Sequence, residues 1–219
     1  MTTDVHSATL YTAALRGEPC TVVGFGAEQH PMATPRWCGA ADASDRAVLA
    51  HCTGPTIDLG CGPGRMAEHL AARGLPVLGV DILAEAVAQT RARGVRAVRR
   101  DVLAPLPGEG FWSCALLADG NIGIGGDPVL LLRRVRGVVA VGGTIVVDVA
   151  PPGTALSVHT VHLRSGGRRS RSFPWALVGV DAICDVAASA GLEVSGRHEH
   201  EGRWFAVLRR GSGDPTCLS

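Results

Sequence analysis

Four aspartates punctuate the middle of the chain: Asp58, Asp81, Asp101 and Asp119. Each ends or follows a short apolar run, in TIDLG (56–60), PVLGVD (76–81), VRAVRRD (95–101) and FWSCALLAD (111–119). After the first come Gly60, Gly62 and Gly64, with Cys61 and Pro63 between them. A loop so poor in side chains lets a ligand approach the backbone closely. The dinucleotide form of such a loop is GxGxxG, with a helix N-terminus aimed at a pyrophosphate. Here the spacing is GxGxG and a carboxylate stands beside it. Asp58 repels a phosphate and attracts an ammonium. The pattern therefore fits an adenosine carrying a cationic amino-acid tail better than it fits a dinucleotide.

The later acids extend that ligand. Asp81 lies about 20 residues past the first glycine, the usual reach of a carboxylate that binds ribose hydroxyls. Its two oxygens can each accept from one of two vicinal hydroxyls. Asp101 suits the exocyclic amine of an adenine, and Val102 offers the ring a backbone N–H. Cys61, inside the glycine loop, reads as a small packing residue, since no base stands near it in sequence to make it a nucleophile.

These residues need a scaffold that brings strand ends together. The runs at 56–60, 76–81, 95–101, 111–119 and 142–149 read as strands. Helical patterns at 65–73, 82–93 and 127–138 separate them, the last opened by Asp127-Pro128. Strands that are apolar throughout and alternate with helices imply an α/β fold, a mostly parallel sheet covered on both faces. In such sheets ligands bind beyond the carboxyl ends of the strands, where all four acids fall. After the fifth strand, VHTVHLR, SGG and RRSRSFPWA read as a hairpin inserted at about 156–176. A helix is expected over 178–190, and two strands around Glu201-Gly202 close the domain. Residues 1–45 carry no strong strand pattern and read as a helical or irregular cap. The domain proper is expected over 46–210, with 211–219 a loose tail.

The chain at this point resembles the class I S-adenosylmethionine-dependent methyltransferases of small-molecule type. The resemblance is carried by DLGCGPG (58–64), GVD (79–81), RDV (100–102), LLADGN (116–121), GGTIVVDV (142–149) and the closing strand pair, and it covers most of 56–210. It implies a Rossmann-like sheet of seven strands with an antiparallel hairpin at its edge. It also implies S-adenosylmethionine as cofactor and S-adenosylhomocysteine as product. Asp58, Gly60, Cys61, Gly62 and Gly64 would hold the methionine part, Asp81 and Ile82 the ribose side, and Asp101 and Val102 the adenine. Asp119, Gly120, Asn121 and Ile122 would line the sulfonium. The sequence from 119 is DGNIGIGGDP rather than the Asn/Asp-Pro-Pro-Tyr of amine methylases that act on nucleic-acid bases or protein glutamine. That departure points to a small-molecule acceptor, plausible in bacterial secondary metabolism. Rival readings are a cofactor-binding protein of the same fold that does not methylate, and a nicotinamide-dependent oxidoreductase.

Methyl transfer asks mainly for alignment of the acceptor, with a base where a hydroxyl or ammonium must lose a proton. Candidate bases are His30 in the cap and His159 and His162 in the hairpin, each of which could equally be a surface polar residue. His159 and His162, three apart, face opposite sides of one strand. Tyr11, Arg36, Trp37 and Trp175 are candidates for the acceptor wall. GGRRSRS (166–172) could hold an anionic group or be a solvated turn. Asp148, ending the fifth strand, either joins the site or caps a turn. His198 and His200 share one face of a terminal strand and read as solvated, and no metal site is expected.

Composition narrows the rest. The 219 residues suffice for one large domain, and 46% are hydrophobic, which argues against global disorder. A formal charge of +1 provides no general pull toward nucleic acid or an anionic membrane. Seven scattered cysteines without a CxxC pair argue for a reducing, cytoplasmic setting. The N-terminus lacks the basic start and long apolar stretch of a secretion signal.

Overall fold

The apolar runs become the central strands of a computed structural model that describes residues 3–26 and 28–211. In chain order the elements are β1 (Thr3–Val5), α1 (Ser7–Leu15), β2 (Thr21–Val23), β3 (Gln29–Pro31), α2 (Thr34–Cys38), α3 (Ala43–Leu49), β4 (Thr56–Leu59), α4 (Arg65–Ala72), β5 (Val77–Asp81), α5 (Ala84–Ala92), β6 (Ala97–Arg99) and β7 (Trp112–Leu117). A 3-10 turn at Asn121–Gly123 follows. Then come α6 (Pro128–Val138), β8 (Val139–Val149), β9 (Ser157–Ser165), β10 (Arg168–Ser170), β11 (Phe173–Leu177), α7 (Ile183–Ser189), β12 (Glu193–His200) and β13 (Arg203–Arg209).

The main sheet has seven strands in the order β12-β13-β8-β7-β4-β5-β6. The pairs from β8 to β6 are parallel, and β13 runs antiparallel to both β8 and β12. This is the Rossmann-like α/β sheet with an antiparallel edge hairpin. Glu201 and Gly202 make the tight turn between β12 and β13, both with positive φ (50° and 80°), as a two-residue hairpin turn requires. Strand β7 shows why the runs are apolar throughout. Cys114 and Leu116 pack with Met66 and Leu70 of α4 and Leu49 of α3. Ala115 and Leu117 pack on the opposite face with Leu131, Leu132 and Val135 of α6. Asp127 caps α6 by accepting from the Leu130 N–H at 2.9 Å, and Pro128 occupies the first turn.

The expectation that residues 1–45 form no strand is corrected. Strands β1, β2 and β3 lie there and join β9, β10 and β11 in a second sheet of six strands. Each of the three has only three residues, and β1 and β2 are tied to the sheet by β10 and β9, more than a hundred residues away. A run that short carries no period, and its ladder is invisible locally. The cap boundary at 45/46 also falls inside α3, which a capping box between Asp42 and Asp45 starts. The inserted hairpin holds three strands rather than two, because Arg171-Ser172 separates β10 from β11. Both pair with β9. The helix expected over 178–190 is confined to Ile183–Ser189, and β6 is shorter than 95–101. The expected tail lies, from 212 on, outside the described residues.

The inner face of the second sheet has its own small core. Leu163 of β9 packs with Leu10 and Ala14 of α1, Cys20 and Met32, and Tyr11, Val22, Trp37 and Phe173 border them. Helix α1 is thereby held between the second sheet and α5, where Leu15 meets Leu83 and Ala86. Helix α1 thus sits just past the carboxyl end of β5.

Candidate functional site

Asp58 is the third residue of β4 and is 2% exposed. Its Oδ2 is buried with no hydrogen-bond partner. Burial pushes its carboxyl up to about 7, helped by the charges of Asp119 and Asp81 and opposed by Arg65. A buried carboxylate oxygen without a donor is costly. Here it stands beside the glycine loop, and a hydrogen-bonding cation is the kind of group that would satisfy it.

The loop itself is held from two sides. Gly60, Gly62 and Gly64 all have positive φ, 76°, 54° and 88°, which a side chain would resist. Asp81 accepts from the Gly62 N–H at 3.0 Å and from the Leu83 N–H at 2.8 Å. The carboxylate predicted to bind a sugar thus also fixes the glycine loop, and burial raises its pKa. The Thr90 hydroxyl donates to the Gly62 carbonyl at 2.8 Å. Cys61 is buried with Sγ 3.6 Å from the Thr90 hydroxyl, and a Cβ on Gly79 would fall 2.9 Å from that sulfur. It is a packing residue. Across the loop, Asn121 donates to the carbonyls of Leu59 and Gly60.

Farther along the edge, Ile82 is exposed and Leu103 partly so, both large apolar side chains at the strand ends. Asp101 is exposed and accepts from the Leu103 N–H at 2.9 Å, while Val102 is buried in the core. Ile122 is buried and Gly120 has positive φ.

Asp119 also carries ion pairs that the sequence does not show. Its φ is 53°, and its carboxylate points at Arg65, which contacts both oxygens at 2.8 and 2.9 Å. Arg65 also makes two bonds to Asp45, at 2.8 and 3.0 Å. Arg36 joins the same carboxylates, 2.8 Å from Asp45 and 3.4 Å from Asp119. Arg203 bonds Asp45 and Asp148, and Asp148 accepts from the Asp119 N–H at 2.6 Å. Asp148 therefore belongs to the site rather than capping a turn. Burial opposes the charge of Asp45, but Arg65 and its other donors outweigh it and hold the carboxyl below its ordinary range. A cavity of about 450 Å³ beside Asp119 is lined by Arg36, Ser44, Asp148, Arg203 and Trp204 among others.

Sequence reading missed Arg65, Asp45 and Arg203. One signal was available: Arg65 directly follows the glycine loop at a helix N-terminus, where a cation opposes the dipole and needs carboxylates around it.

Tyr11 and Trp37 stack with ring centroids 6.1 Å apart and planes 5° from parallel. Burial raises the Tyr11 phenol, and the charges of Asp81 and Asp119 raise it further; Tyr11 also borders Leu83, just past Asp81. His159 is half-buried on the inner face of β9, with Nε2 2.9 Å from the Ser157 hydroxyl and the Phe25 ring 5.3 Å away. His30 is exposed, with its ring 6.1 Å from that of Phe25. His162 faces outward, beside Asp4, Arg164 and Arg169, away from the acids. Trp175 is the cross-strand neighbour of His159 and bridges to Ile124. In the 166–172 segment Arg168 pairs with Glu18, while Ser170 is buried. The solvated reading of His198 is corrected: it lies against His51 at 4.3 Å and stacks on Phe205 at 5.1 Å, because the β12–β13 ladder sets it directly across from Phe205.

Residues 57–143 match a family model described as a methyltransferase domain. No curated protein sequence matches the chain. Among solved structures, the chain is similar to an S-adenosylmethionine-dependent methyltransferase from Bacteroides fragilis in complex with S-adenosylhomocysteine. The TM-score is 0.78, with 17% identity over 94% of each chain. It is also similar to the CcbJ methyltransferase from Streptomyces caelestis, with a TM-score of 0.60 and 22% identity over 77% of this chain and 94% of that one. The sugar N-methyltransferase KedS8 from a Streptoalloteichus species gives a TM-score of 0.58 and 18% identity over 80% and 88%.

Proposed function

We propose that this chain is a class I S-adenosylmethionine-dependent methyltransferase that methylates a small-molecule acceptor, a reading supported by its sheet and by the match at 57–143. The observation that carries the reading is the partnerless buried Oδ2 of Asp58 beside an open glycine loop. A buried carboxylate oxygen in that position suits an ammonium. When bound, S-adenosylmethionine supplies a methyl carbon already activated by a sulfonium.

The protein's part is to hold and orient. Asp58 takes the ammonium, Asp81 the ribose hydroxyls, Asp101 with the Val102 N–H the adenine, and Ile82 with Leu103 its faces. Asn121 keeps the 119–122 loop against Gly60, so the wall facing the sulfur is fixed to the wall holding the methionine part. Helix α1, with Tyr11 and Trp37, covers the cleft and excludes water. Alignment of two bound reactants accounts for much of the barrier in such a displacement. KedS8, a structural neighbour, is a sugar N-methyltransferase, and amino sugars are accordingly the first acceptors to test. A bacterial secondary metabolite made in the cytoplasm fits the same reading.

Calorimetry on the purified chain tests it. S-adenosylhomocysteine is expected to bind and NADH not to bind. Binding of NADH alone would replace the methyltransferase reading with an oxidoreductase one.

A further inference from the structure

We propose that His159 is the group that takes the proton from the acceptor, an inference that rests on the methyl-transfer reading above. Strand β9 alternates, with Ser157, His159, Val161 and Leu163 on one face and Val158, Thr160, His162 and Arg164 on the other. Leu163 packs on α1, and Leu15 and Tyr11 of that helix pack with Leu83, whose N–H donates to Asp81. The His159 face is therefore the one turned toward α1 and the carboxyl end of β5.

A continuous line of contacts ties His159 to the glycine loop. A Cβ on Gly60 would fall 2.6 Å from the amide nitrogen of Asn121. Two residues on, a Cβ on Gly123 would fall 2.4 Å from the indole nitrogen of Trp175. Trp175 sits directly across from His159 in the β9–β11 ladder, which brings the two Cβ atoms within about 5 Å. The wall of the 119–123 loop and the imidazole thus belong to one surface.

The imidazole is also held. Ser157 bonds Nε2, and Phe25 stands edge-on against the ring. Phe25 is itself fixed, because Gly24 lies so close to β9 that a Cβ there would meet the Thr160 carbonyl oxygen at 2.5 Å. In the tautomer with Nε2–H donating to Ser157, Nδ1 carries the lone pair that accepts a proton. His162 is on the wrong face, and His30 is exposed.

The proton of the acceptor N–H or O–H passes to Nδ1, giving an imidazolium that later releases it to solvent. The electron pair left on the acceptor atom forms the bond to the methyl carbon, and the carbon–sulfur pair returns to sulfur. His159 is thereby the catalytic base.

The test follows histidine resonances by NMR in full-length protein labelled at histidine, with His159→Gln for assignment. At fixed pH the His159 ring resonances are expected to differ between the S-adenosylmethionine and S-adenosylhomocysteine complexes, because the first ligand carries a fixed sulfonium charge and the second does not. His162, on the outer face beside Arg164 and Arg169, is expected to give the same resonances in both complexes. His30→Gln in the same experiment is expected to leave the His159 difference intact. Identical His159 resonances in the two complexes overturn the proposal and leave the methyltransferase reading standing. Failure of both nucleosides to bind removes that reading and the proposal with it.

Discussion

The side-chain amide of Asn121 rests against Gly60 and donates to two carbonyls at once, Leu59 at 3.0 Å and Gly60 at 2.9 Å. One side chain thus fixes the loop after β7 to the loop after β4. Gly60→Ala is expected to break this joint. The new methyl group would collide with an amide that two hydrogen bonds prevent from moving, at a residue with φ of 76°. A stability loss of about 1–3 kcal/mol is expected by denaturant unfolding. Asn121→Ala is expected to cost about 1–2 kcal/mol, through the two carbonyls left without donors. An unchanged unfolding midpoint in both variants would mean that the two loops are independent.

Asp58 makes affinity and stability respond to pH in opposite directions. Its folded pKa, about 7, lies above the ordinary carboxylate value. The folded protein therefore holds a proton that the unfolded chain releases, over roughly pH 4 to 7. Stability from this group is full below about pH 4 and is lost as pH rises through 7. Ammonium binding needs the charged form, so cofactor affinity is expected to fall about tenfold from pH 8 to pH 6. Asp58→Asn is expected to bind poorly at pH 8 without that pH dependence. Without ligand it is expected to melt several degrees higher than wild type at pH 8, with little difference at pH 5. Equal melting temperatures at pH 8 would show that Asp58 is not strained by its burial.

Arg65 neutralises two carboxylates that the fold cannot release to water. Asp45 is fully buried, and Arg65 itself is only 4% exposed. Arg65→Met is expected to destabilise by about 3–5 kcal/mol, because it leaves uncompensated charge inside. Arg65→Lys is expected to recover only part of that, since one ammonium cannot pair two carboxylates in the fork geometry of a guanidinium. Thermal unfolding of the three proteins in low and high salt checks this. A drop under 1 kcal/mol for the Met variant would show that Arg36 and Arg203 hold the acids on their own.

The legible part of the site was the part written in strand ends. Asp58 and Asp81 stand where an apolar run stops, and the glycines after Asp58 have no other reason to cluster. A parallel sheet with alternating helices puts those ends side by side, so spacing along the chain translates into neighbourhood in space. The Arg36–Arg65–Arg203 network was not legible, because its acids come from α3, the loop after β7 and β8, and no local pattern joins them. The second sheet was hidden for the same reason. Strand β2 pairs with β9 across some 140 residues, and three residues cannot show a period of two. The histidines were visible as candidates, but only the β9 register separates His159 from His162.

Asp81 has two jobs, and they can be separated. It accepts from the Gly62 and Leu83 N–H groups, and in the proposed complex its remaining lone pairs accept from the ribose. Asp81→Ala is expected to cost on the order of 1.5–3 kcal/mol of cofactor affinity, but loosening of the glycine loop alone could produce a loss of that size. A cycle with S-adenosylhomocysteine and its 2′-deoxy analogue isolates the sugar contact. In wild type the deoxy analogue is expected to bind about ten times more weakly, since a buried charged acceptor loses its donor. In Asp81→Ala the two ligands are expected to bind alike, because the hydroxyl has nothing left to meet. If the variant still prefers the ribose form by the full factor, the hydroxyls are held elsewhere and Asp81 serves the loop alone.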